Sequence, residues 1–226
     1  MFLAVGCLQA NAWICGAYLS IRKGVIIHYT LQHVELSGLS VGLGLVVAVP
    51  LSILALQRSW LRTSIMTLLG VVYTIPSLAL FVLLQPWLGV THATPVVVAL
   101  VAYSQLLLVR NVLVGLDEVP PEVLDAARGM GFGPVALMLR VRLPLALPAI
   151  MAGLRVTTVS TVALLSVGGV IEQGGLGTLL FDGFQNDFHA QVLVAVVLIV
   201  AVGILADMLV LGLQRLVTPW QRGGRG

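Results

Sequence analysis

Few residues in this chain have both the type and the spacing to do chemistry. Its single lysine, Lys23, is followed by Gly24, whereas a phosphate-cradling loop needs G-x-x-x-x-G-K and then Ser or Thr. Nucleotide binding by this chain is therefore not expected. His28, His33, His92 and His189 are scattered along the sequence and assemble no nucleophile, base and orienting group. Cys7 and Cys15 share one N-terminal segment with no His or carboxylate at metal-ligand spacing, and they read as two inert thiols. The expectation is no catalytic residue, no metal ligand and no cofactor held by this chain.

What remains is a set of polar side chains inside apolar runs: Ser77, Tyr103, Ser104, Gln105, Asn111, Thr157, Thr158, Ser160 and Thr161. Lipid is unfavourable to such groups and a hydrated seam is not. Ser77, Ser104, Gln105, Asn111, Thr157, Thr158 and Thr161 are therefore candidates to line a pathway. Interhelical hydrogen bonding, worth ~0.6 kcal/mol on average, accounts for the same residues without one. Pro50 and Pro76 either free carbonyls for a passing cation or simply kink their segments. Asp207 is a carboxylate in the last apolar run, eight residues before Arg215. It is expected to sit near headgroups or to pair with an arginine of another segment, rather than to serve substrate passage. Arg110 and Arg155 are expected to snorkel or anchor at segment ends.

These residues need a membrane scaffold. Of the 226 residues, 59% are hydrophobic and only 9% charged, and the mean hydropathy is +1.07. A soluble domain carries roughly 25% charged residues, so a soluble enzyme, a disulfide-rich secreted scaffold and a disordered regulator are excluded. Five apolar runs, at about 37–56, 64–84, 95–116, 150–171 and 190–217, are long enough to cross ~30 Å of hydrocarbon at ~1.5 Å per residue. They lack the alternation of barrel strands and read as helices. The expected fold is all-α, a polytopic membrane protein with five core transmembrane helices.

Basic residues set its direction. With the 57–63 loop in the cytoplasm and the spans alternating, ten of the twelve fall on that side: Arg58, Arg62, Arg110, Arg128, Arg140, Arg142, Arg155, Arg215, Arg222 and Arg225. Arg22 and Lys23 alone stay outside, a strong positive-inside bias. The N-terminus is then outside and the C-terminus cytoplasmic. The four histidines and Glu35, Glu172, Asp182 and Asp187 fall on or near the outer side. Residues 1–20 are apolar enough for a sixth span, but that span would disturb the alternation, so a peripheral or partly embedded helix is expected. No basic residue precedes the first apolar run, so no signal-peptide n-region is expected.

Between the third and fourth spans lies one long cytoplasmic loop, 117–148. Pro120 and Pro121 precede Glu122-Val123-Leu124-Asp125-Ala126-Ala127-Arg128, and Gly129 and Gly131 follow. Proline suits a first helical position, an acid in the opening turn complements the dipole, and glycine accepts the left-handed stop. A surface helix of about two turns is expected, with Ala126 and Ala127 leaving its backbone bare for another protein, or with the helix lying on headgroups. A second helix should run from Pro134 to Arg142 and end at Pro144 and Pro148.

The stretch Asp125-Ala126-Ala127, three residues, Gly131, nine residues and Val141-Arg142-Leu143-Pro144 resembles the E-A-A-x3-G-x9-I-x-L-P signature of permease subunits of binding-protein-dependent ABC importers. Asp125 replaces Glu and Val141 replaces Ile. Tyr73-Thr74-Ile75-Pro76-Ser77-Leu78-Ala79-Leu80, Arg110-Asn111, the 143–155 run and Gly174-Gly175-Leu176-Gly177 look like the osmoprotectant branch, which takes up glycine betaine, choline, carnitine or proline.

The resemblance covers about 30–217. It implies an ABC importer permease (MetI-like) domain there, preceded by an N-terminal segment, 1–29, and followed by an Arg/Gly tail, 218–226. It further implies a multi-pass protein of a bacterial inner membrane, with the lipid bilayer around it and no nucleic acid. The implied partners are an ABC ATPase subunit dimer carrying ATP and Mg, a second permease subunit, identical or related, and an extracytoplasmic substrate-binding protein. Docking to the ATPase would fall to Glu122, Asp125, Ala126, Ala127, Arg128 and Gly131. The glycine-rich outer segment, 172–189, would contact the binding protein, offer a cation vestibule or merely connect two spans. An importer of amino acids or other small solutes, a gradient-driven secondary transporter and a purely structural membrane subunit are the rival readings.

Overall fold

The computed structural model describes residues 11–89 and 93–220. Every regular element among them is a helix. A short helix α1 (Gly16–Ile21) leads into α2 (Lys23–Gln57), then α3 (Ser59–Thr74), α4 (Ser77–Leu88) and α5 (Thr94–Asp117). The loop helix α6 (Pro121–Gly129) follows, then α7 (Pro134–Ile171), α8 (Leu176–Gln185) and α9 (His189–Val217).

The helices α2, α5, α7 and α9 are each long and apolar enough to cross a membrane, and α3 with α4 make a fifth span if the bent pair is counted as one. At 1.5 Å per residue, α2 is about 50 Å long and overhangs a ~30 Å hydrocarbon layer. It starts at Lys23, so the expected boundary between residues 29 and 30 falls inside a continuous helix.

The core sits around α5, which packs on α2, α3, α4 and α7. Close approach is built from small residues. The buried side of α2 reads His33, Ser37, Ser40, Gly44, Ala48, Ser52 and Ala55, one residue every three or four positions and so one face of the helix. A Cβ added at Gly44 would lie 2.5 Å from the Ser104 hydroxyl of α5. On the other flank a Cβ at Gly153 of α7 would overlap the Asn111 side chain. Bulky residues such as Val46, Val49 and Ile53 point outward instead, as expected where lipid is the solvent and packing rather than hydrophobicity joins helices.

Of two proline-rich regions, the first bends at Pro76 as a kink there would, and the second differs from expectation. The second apolar run is broken: α3 and α4 meet at 97°. Pro76 disfavours a helical conformation at the residue before it, and Ile75 is extended at φ −66°, ψ 129°. Conversely, Pro144 and Pro148 do not end a helix. The chain is helical from Pro134 through Ile171, with a π turn at Met138–Arg142 directly before Pro144. A proline removes one donor and crowds the carbonyl four residues earlier; a wider turn at that point accommodates both effects.

The N-terminal segment is held at the end of the bundle opposite α6. Asn11 donates to the Asp187 carbonyl and accepts from the His189 backbone N–H at 3.0 Å. Trp13 stacks on the His189 ring at 4.3 Å, and Tyr18 meets Phe188 edge to face at 5.1 Å. Burial pushes the Tyr18 phenol above its ordinary pKa, with Arg22 opposing the rise. Cys15 is disulfide-bonded, which corrects the expectation of two free thiols; Cys7, like His92, Arg222 and Arg225, lies outside the described residues.

Candidate functional site

The loop helix α6 is built as its sequence suggests. Pro121 opens it, Glu122 lies in the first turn and Arg128 in the last, each with the sign that complements the helix dipole. Arg128 and Asp125 form an exposed ion pair at 2.6 Å. The stop is a Schellman motif: the Phe132 N–H donates to the Ala127 carbonyl at 3.2 Å and the Gly131 N–H to the Arg128 carbonyl at 2.9 Å. This turn puts Gly131 at φ +85°, a left-handed conformation that a side chain disfavours.

Glu122, Asp125, Ala126, Arg128 and Gly131 are exposed on this loop. Ala127 is not; it is 2% exposed and faces its own chain. The expectation of two bare alanines therefore holds at Ala126 alone, and Ala127 instead seats the helix. Between α6 and the start of α7 runs a groove of about 440 Å³ walled by Leu124, Arg128, Phe132, Pro134, Leu137, Met138 and Arg142.

A charged clamp fixes the stem of the loop. Asp117, the last residue of α5, holds Arg62 of α3 at 2.5 Å and Arg142 of α7 at 3.7 Å. Arg142 also donates through Nε to the Leu116 carbonyl at 3.0 Å. Three spans are thus joined where the loop leaves the bundle. Sequence reasoning missed this cluster; its only signal was an acid at the end of one apolar run facing arginines at the ends of two others.

The polar candidates within the spans do not form one seam. Ser104, Thr157 and Thr161 come together with Tyr73, Tyr103 and Ser160 around a narrow crevice of about 10 Å³ between α3, α5 and α7. Tyr103 donates its hydroxyl to the Ile75 carbonyl at the break in the second span. Gln105 turns the other way, donating to the Gly44 carbonyl of α2 at 3.2 Å and to Val101 at 2.8 Å. Its Oε1 is buried and without a partner among the described residues. Asn111 abuts Gly153 and donates to the Leu107 carbonyl at 2.8 Å. Thr158 faces a separate groove shared by α2, α7 and α9, and Ser77 begins α4 beside the break. The hydroxyls of Thr157 and Thr158 bond carbonyls four residues earlier at 2.9 and 2.8 Å, which satisfies them within their own helix.

Asp207 of α9 is paired with Arg155 of α7 at 2.7 Å. This matches the expected pairing with an arginine of another helix and replaces the expectation that Arg155 is a snorkelling anchor. His33, expected on or near the outer side, packs against the turn after α7 and is fully buried there, with Nδ1 3.1 Å from the Gly174 carbonyl and Nε2 3.1 Å from that of Val162. Around it Gly169, Gly174 and Gly177 are in backbone contact too close for any Cβ. Glu172, Phe184, Asn186 and Asp187 remain exposed on the segment that follows α7.

Among the described residues no group of three or more His, Cys, Asp or Glu could hold a metal ion. The arrangement is that of a helical bundle with a clamped, charged loop at one end and a glycine-packed turn at the other.

The chain is similar to known proteins. Residues 40–223 match the family described as "binding-protein-dependent transport system inner membrane component". The chain is 34% identical over 206 residues to the osmoprotectant import permease protein OsmW of Salmonella typhimurium, covering 89% of this chain and 96% of that one. It is 31% identical over 202 residues to the glycine betaine/carnitine/choline transport system permease protein OpuCB of Bacillus subtilis, covering 89% and 93%. The fold superposes on the inward-facing MetNI methionine ABC transporter with a TM-score of 0.77 at 22% identity, over 87% of this chain and 97% of that one. The chain belongs to the inner membrane permease family of binding-protein-dependent transport systems.

Proposed function

We propose that this permease carries small osmoprotectants bearing a trimethylammonium group, such as choline, glycine betaine or carnitine, into the cell. The energy comes from a separate ATPase subunit docked on α6, the cargo is delivered by an extracytoplasmic binding protein, and a second permease, identical or related, completes the pathway. The α6 end then faces the cytoplasm and the turn after α7 faces outward.

The observation that carries this reading is the Gly131-capped loop helix. It presents Glu122, Asp125, Ala126 and Arg128 to solvent while its stem is bolted by Asp117 to α3 and α7. A partner that moves α6 therefore pulls on a stem shared by three spans, the kind of differential contact that a two-state transporter requires. The substrate class is supported by the likeness to osmoprotectant permeases along nearly the whole chain.

The test is uptake of labelled choline, glycine betaine, carnitine and proline by the complete system in proteoliposomes, with and without ATP inside. ATP-dependent uptake of the trimethylammonium compounds, abolished by a hydrolysis-dead ATPase subunit, is the expected result. Uptake that persists without the ATPase would establish gradient-driven transport instead. ATP-dependent uptake of amino acids alone would replace the substrate class.

A further inference from the structure

Ile75 stands between α3 and α4 and belongs to neither helix, so its carbonyl must find a partner elsewhere. Tyr103 of α5 supplies it through its hydroxyl. The Tyr73 ring, on α3, meets the Tyr103 ring edge to face, with centroids 5.8 Å apart and planes at 80°. Tyr103 is 5% exposed and Tyr73 42%. An edge-to-face contact uses at most one face of each ring, so the exposed Tyr73 retains an open one.

Beside this pair the crevice is walled by Ser104, Ser160 and Thr161, and no charged side chain lines it. An aromatic face carries negative potential and attracts a cation. A quaternary ammonium has no N–H to donate, so a ring face recognises it where a hydrogen-bond acceptor gains nothing specific. The neighbouring hydroxyls suit the other half of such a solute, an alcohol or a carboxylate.

We propose that Tyr73 and Tyr103, at the broken span, form a recognition point for a quaternary ammonium group in transit through the membrane. In this structure the crevice has a free volume of about 10 Å³, room for about one water molecule. The bond from Tyr103 to Ile75 joins the wall of the crevice to the break between α3 and α4. The inference rests on the substrate class proposed above.

The test uses the complete transporter in proteoliposomes with its own binding protein and ATPase. Tyr73→Leu should lower the rate of choline and glycine betaine uptake about tenfold, between the scale of an exposed and that of a desolvated cation–π contact. Tyr73→Phe should rescue it, and phenylalanines of increasing fluorination at the same position should lose uptake stepwise as the ring face loses its negative potential. Copurification of the ATPase with each variant monitors assembly. Uptake by Tyr73→Leu at the parent rate, or rates that ignore fluorination, would overturn the proposal while leaving the substrate class intact. Failure of the parent transporter to move any quaternary ammonium would overturn the substrate class, and this site with it.

Discussion

Arg155 on α7 grips Asp207 on α9 with two parallel hydrogen bonds, Nε to Oδ1 at 2.8 Å and Nη2 to Oδ2 at 2.7 Å. The pair joins two membrane-spanning helices and matches the fork of guanidinium to carboxylate. Removing one partner leaves a single charge at membrane depth, whereas removing both leaves none. Asp207→Leu and Arg155→Met should each lower the thermal unfolding temperature of the purified permease in detergent. The double replacement Arg155→Met with Asp207→Leu should recover much of the loss. Additive losses in the double variant would show that the two residues do not act as a pair.

Gly131 offers a test of the loop that leaves the membrane untouched. Its Cβ would meet nothing within 4 Å, so any penalty comes from the left-handed backbone alone. Gly131→Val should fray the end of α6 at a local expense of about 1–2 kcal/mol and weaken ATPase copurification, while Gly131→Asn, which tolerates that conformation, should be mild. Equal copurification of all three proteins would separate the cap from docking.

Ala127 needs a different interpretation from Ala126. A bulky charge at the buried Ala127 would unseat α6 from its own chain, whereas the same change at Ala126 meets solvent and, under the docking proposed above, the partner. Ala126→Arg should therefore abolish ATPase copurification with the unfolding temperature unchanged, and Ala127→Arg should lower both. An unfolding temperature equally affected by both variants would contradict the burial difference.

Close packing at Gly153 gives a quantitative expectation. Since a Cβ there overlaps Asn111, Gly153→Ala should destabilise the α5–α7 contact by about 1–3 kcal/mol, the usual range for overpacking. Adding Asn111→Ala should recover part of it. Denaturation of single and double variants in mixed micelles measures the coupling, and strict additivity would mean the helices simply separate.

Asp117 should matter more for transmission than for stability. Its partners Arg62 and Arg142 are partly exposed, so each contact is worth less than about 1 kcal/mol. Asp117→Ala is expected to keep ATPase copurification and ATP hydrolysis while reducing uptake per ATP consumed. An unchanged ratio of uptake to hydrolysis would remove the clamp from the coupling route.

Local grammar was legible in the sequence, and long-range geometry was not. The helix at 121–129, its glycine stop and the apolar runs follow from neighbours in the chain. The Asp117 clamp joins residues 55 apart, and the burial of His33 depends on a carbonyl 141 residues away; no window of sequence contains either. Pro76 and Pro144 show the limit most clearly, because the same residue type breaks one helix at 97° and is absorbed into another. What differs is the turn before it: an extended Ile75 in the first case and a widened turn in the second. Gln105 and Asn111 were sensible pathway candidates by polarity alone, yet each is turned toward a neighbouring or its own backbone, a choice made by the close approach at Gly44 and Gly153.

The widened turn at Met138–Arg142 also sets an angle. One residue more than a regular turn holds rotates everything before it by about 100° around the helix axis. In an unbroken α-helix the Pro134 and Leu137 that line the loop groove would lie roughly 150° around the axis from the Gly153 and Thr157 that meet α5, and the widened turn brings the two pairs to within about 50°. One side of a single rod can then address both neighbours, the loop at its foot and the central helix along its shaft. A one-residue deletion within 138–142 would set the two faces on nearly opposite sides and turn the foot of α7 away from α6 without shortening the span.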